Sequence, residues 1–195
     1  MNRRLILASQ SPRRRELLGI LGVPFDILPA DIAEIPAAGE TPEQFVVRVA
    51  REKGMAVALR VSNSVVLSAD TIVTIDGLIL GKPVDENDAV RMLRRLSNRQ
   101  HAVYTAVCVI GQIGEENTSC LHEGLERTDV WFNPMTDTQI LDCVRREEVL
   151  DKAGAYAIQG FASVYIARIE GNYSNVMGLP LPMVADLLQR AEFYF

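Results

Sequence analysis

Apolar and polar positions follow two rhythms along this chain, one of period two and one near 3.6. Residues 4–8 (Arg-Leu-Ile-Leu-Ala) form a short apolar run ended by Ser9, Gln10, Ser11 and Pro12, the pattern of a buried strand entering a turn. SPRRRELLGILG then predicts a helix, with Ser11 as N-cap, Pro12 at the first helical position, Leu17, Leu18 and Leu21 at helical spacing and Gly22 closing the end. In the proline-dotted segment 23–40, FDILPADIAEIP alternates enough for a strand that leads into a loop. TPEQFVVRVAREKGMAVAL predicts a second helix, capped by Thr41 with Gln44 three residues on, and with Phe45, Val46, Val49, Ala50 and Met55 along one face.

Further along, SVVLSADTIVTIDGLILGKP reads as two strands joined by Asp76-Gly77, a hairpin signal. DENDAVRMLRRLS is helical, and HAVYTAVCVIGQ and RTDVWFNPM are β-branched and aromatic runs expected to be strands. TDTQILDCVRREEVL, capped by Thr136, is a further helix; GFASVYIARIEGNYS reads as one or two strands and PLPMVADLLQRAEFYF as a terminal helix. Helices and strands are mixed without a strict βαβ rhythm, which favours an α/β or α+β fold built on a mixed sheet. No repeat or low-complexity linker interrupts the 195 residues, and their length favours one domain, with room for two lobes.

Composition narrows the functions available. Hydrophobic residues make up 48% of the chain, enough for a substantial core, and a formal net charge of −5 argues against a general nucleic-acid or anionic-membrane surface. Three scattered cysteines and two histidines, without a CxxC, make a zinc site or a disulfide framework improbable and fit a reducing cytosol. The apolar part of the basic start, Leu5 to Ala8, is shorter than the roughly 7–15 residues of a secretory h-region, and no segment approaches the roughly 18 apolar residues of a membrane span. A cytoplasmic protein without a membrane partner is expected.

Against that acidic background, Arg13, Arg14 and Arg15 stand side by side in the first turn of the first helix. Cations are disfavoured there, where free N–H groups and the macrodipole attract anions, so the arginines read either as solvated side chains or as a phosphate site. Asp70 interrupts an apolar, β-branched run and is followed by Thr71; a carboxylate in such a strand is costly unless it is paired, bound to a cation or part of a turn. Lys82 sits after the hairpin beside Pro83, and DKAGAYAIQGFAS places Asp151, Lys152 and Gln159 among glycines, where a backbone can approach a ligand. MGLPLPM reads as packing. GxxxxGK[ST], GxGxxG and GxSxG are all absent, so neither a P-loop, a dinucleotide fold nor an α/β-hydrolase serine is supported.

Taken together, LASQSPRRRELL, FVVRVAREKG, SADTIV, GKP, DKAGAYAIQG and VMGLPL make the chain resemble the Maf family of nucleotide pyrophosphatases, in family order from Leu7 to Leu181. The resemblance implies a single Maf-like domain over residues 1–195: an α/β fold with a mixed twisted sheet and flanking helices, two lobes around a central cleft, related to inosine triphosphatases. It implies hydrolysis of a nucleoside triphosphate to the monophosphate and pyrophosphate with a divalent cation, Mg²⁺ or Mn²⁺, in a family whose members are often dimers. By position, Asp70 matches the base that activates water and a metal ligand, and Glu34 an acidic position near the metal. Ala33 stands where the family usually has a second acid, so that acidic pair is incomplete. Ser9, Arg14, Lys53 and Lys82 match positions that hold the triphosphate. Arg13, Thr71 and Gln159 match the branch resembling dTTP/UTP pyrophosphatases; the 7-methyl-GTP branch carries Trp, Gln and Glu there. Three other readings stay open: the same chemistry on 7-methyl-GTP or another base, a nucleotide-binding regulator of septum formation, and a nucleic-acid binder using the arginine cluster, which the acidic balance of the chain disfavours. The cysteines and histidines have no catalytic role in this reading.

Overall fold

A computed structural model describes residues 3–113 and 118–194. The chain forms strand β1 (Arg4–Leu7), helix α1 (Pro12–Gly19), β2 (Phe25–Ile27), α2 (Pro42–Ala58), β3 (Ser64–Ile75), β4 (Leu78–Leu80), α3 (Glu86–Leu96) and β5 (Gln100–Ile113). There follow β6 (Thr118–Phe132), α4 (Asp137–Arg146), two 3-10 turns (Ala153–Ala155 and Phe161–Tyr165), β7 (Ile166–Glu170), α5 (Tyr173–Val176) and α6 (Leu181–Arg190). The seven strands make one open sheet in the order β2-β1-β3-β5-β6-β7, with β4 paired to β3. β1 is parallel to both β2 and β3, whereas β3 with β4 and β6 with β7 are antiparallel, so the sheet is mixed as the sequence leads one to expect.

Two compact units divide the chain. The first comprises Met1–Asp70, Thr105–Glu126 and Gly178–Phe195, the second Thr71–Tyr104 and Arg127–Met177, so the division falls inside β3, β5 and β6. In the first unit Leu5, Leu7, Leu18, Val46, Leu67 and Leu188 are fully buried. In the second, Val73, Leu93, Leu96, Phe132, Ile140 and Tyr156 belong to one continuous apolar cluster. His101 lies inside that cluster with Nε2 2.7 Å from the Tyr156 hydroxyl, and burial pushes its imidazole down to about 4, so it is a neutral packing residue at pH 7.

The caps form as their side chains require. The hydroxyl of Ser11 accepts from the Arg14 N–H, and Thr41 with Gln44 and Thr136 with Gln139 close reciprocal capping boxes on α2 and α4. In the hairpin, Asp76 and Gly77 take φ of 53° and 74°, the left-handed pair that a two-residue turn between twisted strands requires, and Ile75 faces Leu78.

Three details differ from the sequence reading. Helix α1 ends at Gly19, a turn short of Gly22, whose left-handed φ of 71° belongs to the following turn. In α2 the helical period carries the buried stripe from Val49 and Ala50 on to Gly54 and Val57, leaving Met55 facing outward at 48% exposure. Phe161–Tyr165 is a 3-10 turn rather than a strand. The rings of Phe161 and Tyr165, four residues apart, pack edge to face at 6.3 Å while the Arg146 guanidinium covers Phe161, contacts that alternating strand side chains could not make.

Candidate active site

Asp70 ends the first stretch of the first unit, at the point on β3 where the division falls, and is only 5% exposed. Its place on β3 would be costly for an unpaired charge, and it is not unpaired: Lys53 Nζ lies 2.7 Å from Asp70 Oδ1. The same ammonium lies 2.6 Å from Glu34 Oε1, so one cation joins two carboxylates.

Lys53 reaches Asp70 because α2 lies hard against the sheet at the next residue. The Ser68 hydroxyl on β3 donates to the Ala50 carbonyl of α2 at 2.7 Å. Gly54 permits the approach, since a Cβ there would stand 2.7 Å from Ser68 Oγ and 3.2 Å from Ile110 Cδ1. Gly54→Ala is therefore expected to push α2 off the strand, to cost about 1–3 kcal/mol of stability and to misplace Lys53; a lowered thermal midpoint together with lowered turnover checks this. A variant as stable and active as the parent would show that the approach can relax.

The turn after β1 carries Ser9 and the first turn of α1 carries Arg13, Arg14 and Arg15, with no acidic residue in that turn. Arg14 is fixed: its Nε–H donates to the Gly178 carbonyl at 2.8 Å and its Nη1 to the Ser9 hydroxyl at 3.4 Å. Burial pushes the Arg14 guanidinium below its ordinary value, the charges of Asp70 and Glu34 pull it back up and Arg13 lowers it again. An arginine remains charged through such a shift. The first unit thus gathers Ser9, Arg13, Arg14, Glu34, Lys53 and Asp70.

Thr71, Lys82 and Gln159 belong to the second unit. Thr71 follows Asp70 on β3 and is partly buried; Lys82 and Gln159 are exposed loop residues. There the Gly154 N–H donates to the Gly81 carbonyl at 3.0 Å, tying the DKAGA turn to the residue before Lys82. The MGLPL turn does more than pack, because its Gly178 carbonyl orients Arg14. Nothing local in the sequence signals a partner 164 positions away.

Among the described residues no group of three or more His, Cys, Asp or Glu side chains is assembled to hold a metal. Glu34 and Asp70 nonetheless converge on one cation with hard oxygen donors, which suits Mg²⁺ or Mn²⁺, since such ions commonly take one or two carboxylates and complete their shell with substrate phosphates and water. The cysteines stay out of the cluster, and burial raises the Cys108 thiol to about 12 and that of Cys143 to about 11, so both are inert at neutral pH. Among the described residues no helix is long and apolar enough to cross a membrane.

A buried carboxylate held by a lysine, beside an arginine fixed at a helix N-terminus, equips the first unit to receive a polyanion next to a proton acceptor. The chain belongs to the Maf family, whose model, described as Maf-like protein, matches residues 4–191. It is 50% identical over 193 residues to a protein of Anaeromyxobacter dehalogenans (strain 2CP-C) named dTTP/UTP pyrophosphatase, covering 97% of this chain and 95% of that one. Proteins of the same name from Geobacter sulfurreducens (48% identity, 96% of each chain) and Deinococcus radiodurans (44% identity, 96% of this chain and 93% of that one) are also similar.

Proposed function

We propose that this chain is a nucleoside triphosphate pyrophosphatase that hydrolyses dTTP and UTP to the monophosphate and pyrophosphate. The observation that carries the reading is the buried Asp70 carboxylate, 2.7 Å from Lys53 in the cluster that also holds Arg14 and Glu34. The similarity to dTTP/UTP pyrophosphatases along nearly the full chain supports the substrate class. In this reading residues 1–195 act as one catalytic domain in the cytoplasm, able to pair as a homodimer.

In this reading Asp70 takes a proton from water, the water oxygen bonds to the α-phosphorus, and the bond from that phosphorus to the bridging oxygen breaks, releasing pyrophosphate. Glu34 and Asp70, together with the phosphates, would hold Mg²⁺ or Mn²⁺, which when bound would supply charge neutralisation and orient water. Arg14, Lys53 and Lys82 offset the charge that grows on the phosphate oxygens, and Ser9 both accepts from Arg14 and lies at the phosphate site. Arg13, Thr71 and Gln159 select the base; the Gln159 amide can donate and accept, as the mixed edge of a pyrimidine requires.

The test is pyrophosphate release from dTTP, UTP, CTP, 7-methyl-GTP and ATP with Mg²⁺ or Mn²⁺. Turnover concentrated on dTTP and UTP is expected. Preference for 7-methyl-GTP would remove Arg13, Thr71 and Gln159 from the specificity role, and silence on every triphosphate would overturn the enzymatic reading.

A further inference from the structure

The carboxylates that the proposed function gives to the divalent ion already hold a cation. Lys53 Nζ lies 2.6 Å from Glu34 Oε1 and 2.7 Å from Asp70 Oδ1, bridging the two acids. We infer that Lys53 is a resident counter-cation, which keeps the divalent ion off Glu34 and Asp70 until a nucleotide's phosphates draw its ammonium away. The inference rests on the proposed function for the identity of the metal ligands.

Exclusion follows from the distances. A Mg²⁺ ion bound at about 2.0–2.1 Å to either of these two oxygens would lie less than about 5 Å from Nζ. At that separation a dication and an ammonium repel, most strongly at Asp70, where water screens them poorly because the Lys53 and Asp70 side chains are only 11% and 7% exposed, and less at Glu34, which is 44% exposed. The two cations therefore compete for the same oxygens.

Arg14, whose charge also feels both carboxylates, is not built to move. Arg14 is anchored through Nε to the Gly178 carbonyl and through Nη1 to Ser9. Lys53 carries a compact charge on a flexible four-carbon stem, so its ammonium can exchange partners while α2 stays in place. A triphosphate supplies that new partner. Metal and nucleotide should accordingly bind with positive coupling, each raising the affinity of the other by the same factor.

Mn²⁺ binding to the protein, read by water-proton relaxation enhancement without turnover, tests this directly. The samples are wild type, Lys53→Met and Asp70→Asn, each alone and with a dUTP analogue carrying nitrogen in place of the α–β bridging oxygen. Because phosphates also ligate the ion, the deciding comparison is between proteins without nucleotide. Lys53→Met should bind Mn²⁺ about tenfold or more tightly than wild type, within the usual 5–150-fold range of coupled sites, and Asp70→Asn should not share the gain. Lys53→Gln, which keeps a donor between the carboxylates without the charge, serves for the same comparison if the methionine variant does not fold. Equal Mn²⁺ affinity of wild type and the Lys53 variants, with wild type binding well once the analogue is present, would overturn the inference and leave the proposed function standing. Absence of binding in every sample, analogue included, would overturn the metal assignment itself and the inference with it.

Discussion

Asp70→Asn is expected to lower pyrophosphate release from dTTP by about 10²–10⁴-fold, the usual contribution of a positioned general base, while the protein stays folded. The amide has the shape of the carboxylate and keeps an oxygen that can accept from Lys53 Nζ, so the 2.7 Å contact has a neutral replacement. What it loses is the capacity to take a proton and the negative charge that holds a cation. Paired melting curves and single-turnover rates separate the two properties. Near-normal melting with residual turnover identifies Asp70 as chemical, whereas wild-type turnover would transfer the base role to another group.

The second large effect belongs to Arg14. Arg14→Ala is expected to reduce turnover by about 10²–10³-fold, comparable to removing one preorganised donor from a developing oxyanion. The guanidinium is set before substrate arrives, by the Gly178 carbonyl at 2.8 Å and the Ser9 hydroxyl at 3.4 Å, so no reorganisation is needed during the reaction. Arg14→Lys should recover little, because an ammonium cannot donate to the Gly178 carbonyl and hold a planar fork toward phosphate at once. A lysine variant with full activity would reduce the role of Arg14 to charge alone. Steady-state kinetics on dTTP, with kcat and KM resolved, distinguish these outcomes.

Much of the site can be read locally because its parts are short-range signals. Ser9, Arg13 and Arg14 sit in a strand-turn-helix motif, and Asp70 announces itself as a charge within an apolar strand. The helix around Lys53 is legible from its cap and its period, and that same period, followed strictly, sends Met55 to solvent and turns Lys53 and Gly54 inward. What escapes are partnerships between distant positions: Gly178 with Arg14, Glu34 with Lys53, and Arg51 of α2 with Glu123 of β6 at 2.6 Å. The early part of β6 is hidden for a similar reason. Its polar residues and Gly124 lack strand propensity, and pairing with β5 in the sheet decides its conformation. At Phe161–Tyr165 aromatic content suggests extension, but a ring pair at helical spacing and the cover from Arg146 favour a tight turn.

An open sheet has edges, and among the described residues those of this one are β2, β7 and β4, which pairs with β3 off the main strand order. β2 offers only three residues, and its Asp26 is engaged by Arg4 of the neighbouring strand. β7 is five residues long and carries the exposed Arg168–Glu170 ion pair, with Arg168 also lying over the Trp131 ring at 4.1 Å. β4 is apolar, with Leu78 exposed, but only three residues long, so none of these edges gives another chain a long, flat, apolar template for backbone pairing, the usual route from a folded β-protein to fibrils. Concentrated preparations should therefore resist ordered aggregation while native, and the hazard moves to partly unfolded chains in which the buried run Val65–Leu67 of β3 becomes exposed.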